Sequence, residues 1–231
     1  MSTLTHPRLA ARRGAVRAGS WWGKAWVRAL EEWALGQQEL KRGRALARSG
    51  GIGSISVSSG EFVAAVTADG DLWPVRVTLP VLDRGQVDAV AEVVAAESGR
   101  VAGLLAGDLP HRLAEELEEA GVELLPYGGE FGGACGCPDW LEPCPHALAV
   151  GYQLGWLIDA DPFVLLHVRG VGREELLAGV HALALPPDPG SSPGEPDPRA
   201  ADLDVALDAA VRAARMLELL DDPHGSIDHL W

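Results

Sequence analysis

The sequence predicts an α+β protein in which a small antiparallel β meander is combined with helices and an embedded metal-binding strand, loop and helix. Three observations carry that expectation. Apolar residues recur at helical spacing over residues 20–47, alternate between Ile52 and Leu79, and then return to helical spacing. All three cysteines lie, with a histidine, inside the twelve residues 135–146. An apolar stretch, 147–158, follows that cluster at once.

Taken in order, residues 1–19 carry Arg8, Arg12, Arg13 and Arg17 without any acid and read as a flexible basic arm. Ser20 can cap a helix running to about residue 35 with Gly36 as its stop, and Trp22, Trp26, Leu30 and Trp33 fall on one face of it. Such a stripe could stack on unpaired bases, but its period is that of a core face. A second helical stretch over 38–47 carries Lys41, Arg42 and Arg44, with Arg48 just beyond. These cations form either a solvated face or one that meets phosphate.

Alternation then sets in. Two strands meet across Ser58, Ser59 and Gly60; Asp69, Gly70 and Asp71 signal the next turn; and 72–79 alternates as a third strand, with Pro74 near its start or on an edge. Residues 86–97, 100–105 and 109–120 read as helices, the last stopped by Gly121 and presenting Glu115, Glu116, Glu118 and Glu119 outward. Residues 122–126 read as a short strand entering the cysteine loop, and 161–166 and 173–185 as helices packed on 147–158. The expected organisation is an arm (1–19), a helix with the meander and further helices (20–121), the metal-binding unit with its packing helices (122–185), a Pro-rich linker (186–199) and an amphipathic C-terminal helix within 200–231.

At 231 residues with 47% hydrophobic composition, the chain has enough apolar surface for a real core. Its longest apolar segment falls short of the roughly 20 residues needed to span a bilayer. The N-terminus has no apolar core of a secretory signal; its arginines faintly resemble a transit peptide, but a solvated basic arm is the better reading. With thiols free to hold metal, a cytoplasmic location is expected. The net charge of −14 argues against a general nucleic-acid coat. The charge is unevenly spread, however: residues 1–50 carry ten Lys/Arg against three Glu, and the remainder nine against thirty acids. Contact with nucleic acid, if made, is expected through Arg12, Arg13, Arg17, Lys41, Arg42, Arg44 and Arg48.

The cysteine stretch reads as two pairs, Cys135 with Cys137 and Cys144 with His146, each separated by one residue. Thiolate and imidazole select zinc over harder cations, and four of them complete the tetrahedron of a structural site. A disulfide framework would leave one cysteine over, with strain in the small ring that Cys135 and Cys137 would close. A catalytic Cys–His pair would leave two more cysteines unexplained. Gly136 is expected to let the backbone turn between the first two ligands, while Pro138, Pro143 and Pro145 restrict the loop's unfolded freedom. Pro145 also suits the first turn of the following helix, which places His146 where that helix begins.

The order Cys-x-Cys, short spacer, Cys-x-His and immediate hydrophobic helix resembles the SWIM zinc finger. Upstream, Trp21, Trp22, Gly23, Lys24, Ala25 and Trp26, and the stretch 42–50, also resemble bacterial proteins of the SWIM family. The resemblance implies zinc as cofactor and Cys135, Cys137, Cys144 and His146 as ligands, within a finger covering about residues 122 to 160. It further implies an interaction module for protein or DNA, with a chromatin-remodelling-type helicase or ATPase as a partner.

Four soft ligands close a zinc site to water, so the metal is expected to hold the loop together and not to run a reaction. The chain shows no nucleotide-binding or kinase motif. The leading expectation is a non-enzymatic zinc-finger protein without a membrane segment. Its rival is an enzyme or accessory nuclease whose active groups are scattered acids.

Overall fold

Alternation of apolar and polar side chains builds a five-stranded sheet. The structure, a computed structural model, describes residues 3–14, 17–139 and 141–184, all within one compact unit, Met1–Leu185. The linker 186–199 and the C-terminal helix expected within 200–231 lie outside the described residues. The three expected meander strands are β2 (Ile55–Ser58), β3 (Glu61–Ala68) and β4 (Asp71–Thr78). Asp69 and Gly70 join β3 to β4 with φ of 54° and 92°, the left-handed pair that a two-residue hairpin turn requires. Two strands from distant parts of the chain complete the sheet: β1 (Leu4–His6) pairs with β2 and β5 (Gly132–Cys135) with β4, giving the antiparallel order β1-β2-β3-β4-β5.

The arm expected over residues 1–19 is thus corrected. Leu4 to His6 form an edge strand, Arg8 Nε donates to the Gly50 carbonyl at 2.8 Å, and the Arg12 amide donates to the Arg48 carbonyl at 3.0 Å. These bonds occupy carbonyls at the end of a helix that would otherwise lack partners.

Eight α-helices appear among the described residues: α1 (Trp21–Trp33), α2 (Gln37–Ser49), α3 (Arg84–Ala95), α4 (Arg100–Leu105), α5 (His111–Glu119), α6 (Pro145–Ala160), α7 (Pro162–Val168) and α8 (Arg173–Ala184). None is long and apolar enough to cross a membrane. Ser20 caps α1 as expected, its Oγ accepting from the Gly23 amide at 3.0 Å, whereas Gly36 serves as the N-cap of α2 and not as the stop of α1.

Helix α6 is the centre of the fold. Apolar nearly all round, it is buried along most of its length, as expected of a helix surrounded by protein. The inner face of the sheet, with Val57, Phe62, Val66 and Val77, belongs to the same core. The tryptophan stripe of α1 lies against α6: Trp22 and Trp26 donate from Nε1 to the carbonyls of Ile158 (2.9 Å) and Gly151 (3.1 Å). Gln153, fully buried, donates to the Ala47 carbonyl of α2 at 2.7 Å.

The segment 122–126, expected as a strand, pairs with no strand. Its backbone bonds elsewhere: the Val122 amide donates to the Leu117 carbonyl at 2.8 Å, and the Glu123 carbonyl accepts from Arg169 at 2.9 Å. Val122, Leu124 and Pro126 are buried, and Leu125 packs partly against the core. The strand that enters the cysteine loop is β5, and because it pairs with β4, residues 20–121 and 122–185 share one sheet and one core.

Candidate metal centre

The four sulfur and nitrogen donors come from the two ends of one loop. β5 delivers Cys135 opposite Val75 of β4, and the ladder closes one residue on, where the Gly136 amide donates to the Pro74 carbonyl at 3.4 Å. Pro74 suits the end of that ladder because it has no amide hydrogen to give. Cys144 is the N-cap of α6, Pro145 occupies its first turn, and the Leu148 amide donates to the Cys144 carbonyl at 3.2 Å. Between them, the Glu142 carboxylate accepts from the Gly133 amide at 3.1 Å, tying the loop back to β5.

Cys135, Cys137, Cys144 and His146 come together so that their donor atoms all lie within 4.8 Å of one another, close enough to hold one metal ion. The His146 Nδ1 sits 3.8 Å from the Cys135 Sγ and 4.0 Å from the Cys144 Sγ. Among the described residues, no carboxylate belongs to the cluster. Cys144 is buried, the other three are half-buried, and Trp73 of β4 stacks beside the His146 ring at a centroid distance of 6.1 Å.

Burial governs the protonation of these donors. Burial, only partly offset by a backbone hydrogen bond at Cys137, pushes the Cys135 thiol up to about 12, and burial likewise raises Cys144. Burial and the nearby Arg42 lower His146, against the opposing pull of Asp139 and Asp69, and so favour the neutral imidazole that binds metal. Three cysteine sulfurs and one imidazole nitrogen are the soft donors that zinc takes. The donor set therefore fits zinc.

Gly136 plays a different part from the one expected. Its φ is not positive, and a β-carbon there would meet Pro74 only at ordinary contact distances of 3.7 and 3.8 Å. The close approaches lie in β5 instead, where a β-carbon on Gly133 would come 2.9 Å from the Trp33 ring and one on Gly132 would come 2.7 Å from Thr78 Oγ1.

The seven cations read as candidates for nucleic acid divide. Arg17, Arg44 and Arg48 line one pocket, and Arg12 lies over Trp156, a residue of the same pocket, with its Cζ 4.5 Å from the ring centroid. Arg13, Lys41 and Arg42 are exposed away from it. Arg44 is partly committed inside the protein: it donates to Tyr152 Oη at 3.0 Å and to the Glu31 carboxylate, which raises its pKa. Lys24, absent from the seven, joins this group. The signal that could have found it is its place one turn ahead of Arg28 on α1, on the side of α1 that carries Val27 and Glu31.

The chain is similar to the uncharacterized protein Rv2102 of Mycobacterium tuberculosis, 34% identical over 172 residues that make up 74% of this chain and 61% of that protein. It thus spans less than two thirds of the relative's length. No family model matches the chain, and no solved structure matches it.

Proposed function

We propose that the chain is a non-enzymatic zinc-finger protein of SWIM type, whose metal stabilises an interaction module for protein or nucleic acid. The single observation that carries this reading is the cluster of three cysteines and one histidine, with no carboxylate, at the junction of β5 and α6. Four such donors fill a tetrahedral shell and leave no position for a water nucleophile. Zinc there supplies folding free energy and fixes the start of the helix around which the core is built. The order Cys-x-Cys, spacer, Cys-x-His and hydrophobic helix supports the SWIM assignment, and with it a remodelling-type helicase or ATPase as a partner, in the cytoplasm.

A pull-down with zinc-loaded protein tests this, with Cys144→Ser as the comparison and metal analysis of both. One zinc per chain, loss of zinc in the variant and zinc-dependent retention of a helicase-type ATPase or of nucleic acid is the expected result. Absence of zinc from the purified protein, or a turnover that depends on the metal, overturns the reading.

A further inference from the structure

Beside α6, and lined by none of the metal donors, lies a pocket of about 420 Å³ whose lining includes Arg17, Lys24, Arg44, Arg48, Tyr152 and Trp156. In a chain with a net charge of −14, four cations around one cavity are a marked local reversal. One acid, Glu31, lines it as well, and it is already paired with Arg44 and bonded by Tyr152 Oη at 3.3 Å. Arg17, Lys24 and Arg48 form no ion pair among the described residues. They come from three places in the chain: the segment before α1, the first turn of α1 and the last turn of α2.

The aromatic part of the lining is equally specific. Trp156 is half-buried in the back half of α6, with the Arg12 guanidinium stacked over its ring. An indole is one of the protein surfaces on which a nucleobase stacks. Tyr152 is buried beneath Arg44. The space is of the size that takes a single small molecule and is too small for a duplex groove to enter.

We propose that this pocket binds a nucleoside phosphate, either free or as one unit of a single strand, with Arg17, Lys24 and Arg48 meeting the phosphate and Trp156, on the side of its ring that Arg12 leaves open to the pocket, meeting the base. The proposal deepens the interaction-module reading and rests on it, but uses none of the metal donors. Cations and stacking surface act on different parts of the ligand, so the ligand must carry both a phosphate and a flat ring.

The test is fluorescence anisotropy of the full chain with a labelled ten-nucleotide oligothymidylate at low salt, competed with unlabelled oligothymidylate, with thymidine monophosphate and with an abasic deoxyribose-phosphate oligomer. A Lys24→Glu, Arg48→Glu variant is titrated in parallel, and zinc content and circular dichroism are recorded for both proteins. The expected result is binding that weakens roughly tenfold or more in the variant, with the log–log salt slope reduced by about 0.7 for each phosphate that is no longer neutralised. Competition by the mononucleotide identifies a free nucleotide as the ligand, and competition by unlabelled oligothymidylate alone identifies a strand; either supports the proposal. Equal competition by the abasic oligomer, or unchanged affinity in a folded variant, overturns it. Zinc-replete protein that binds no oligothymidylate sinks this proposal alone, whereas zinc-free protein sinks the metal reading.

Discussion

A β-carbon on Gly43 would lie 2.8 Å from the Cβ of Leu148, so α2 and α6 meet where neither has room for another atom. Leu148 is fully buried two residues after His146, and its own amide is bonded to the Cys144 carbonyl. Gly43→Val should therefore destabilise the fold by about 2–3 kcal/mol through overpacking. Because the displaced turn is the one that presents Cys144 and His146, zinc should also be released at lower chelator concentration. Urea denaturation and a chelator titration measure the two effects. Gly151→Ala is the milder comparison, since the atom it meets is the terminal Cδ1 of Leu30, at 2.6 Å.

Zinc should be present at one equivalent per chain, and Cys137→Ser should lower metal content and stability together. A closed structural site supplies free energy on the order of 10 kcal/mol, so removal of one donor should cost several. Inductively coupled plasma analysis with thermal melts before and after chelation checks this. A chain that melts at the same temperature with and without chelator contradicts it.

Asp159 at the end of α6 accepts from the amides of Gly19 and Ser20 at 3.1 and 2.8 Å, and from Ser20 Oγ. Burial pushes its pKa upward, but these hydrogen bonds and nearby Lys24 outweigh that and hold it below the ordinary 3.8. A depressed folded pKa gives stability that is fully present above the unfolded value and lost as pH falls through the folded one. The contribution should therefore be constant at neutral pH and disappear as pH falls below about 4. Asp159→Asn should remove it throughout, at a cost of about 1 kcal/mol at pH 7, and flatten that part of the acid denaturation curve.

Arg169, buried after α7, donates to the carbonyls of Pro80 and Glu123 at 2.8 and 2.9 Å, and its charge faces Glu130 at 3.8 Å. It fastens the end of the meander to the non-strand segment around Glu123. Arg169→Met keeps the bulk and removes the donors, and should destabilise by about 2–3 kcal/mol. Equilibrium unfolding is the measurement, and Arg169→Lys should recover only part of the stability because an ammonium lacks the fork that reaches both carbonyls.

The elements legible in the sequence were those with a period of their own. Alternation marked β2, β3 and β4, tryptophan spacing marked α1, and two one-residue spacings marked the four donors. Where a segment's structure depends on a distant partner, no local signal exists: the three residues of β1 are a strand only because Val57, Ser56 and Ile55 lie opposite. Likewise β5, rich in glycine, reads locally as a loop and is a strand because β4 needs a neighbour. The reverse failure is 122–126, whose apolar residues suggest a strand although its backbone bonds are taken by Leu117 and Arg169. Arg44 shows the same limit for charge, since its commitment to Glu31 and Tyr152 depends on α6 lying beside α2.

The outermost strands also differ from the meander in the chain they must close. The β2-β3-β4 meander closes through short turns, but β1 and β5 join it from far away in the chain, and distant pairings carry the larger loop-closure cost. Cys135 both pairs with Val75 of β4 and belongs to the donor cluster, so the ion and the edge of the sheet are joined through one residue. Loss of the ion would therefore be felt beyond its loop, at the edge of the sheet beside β4.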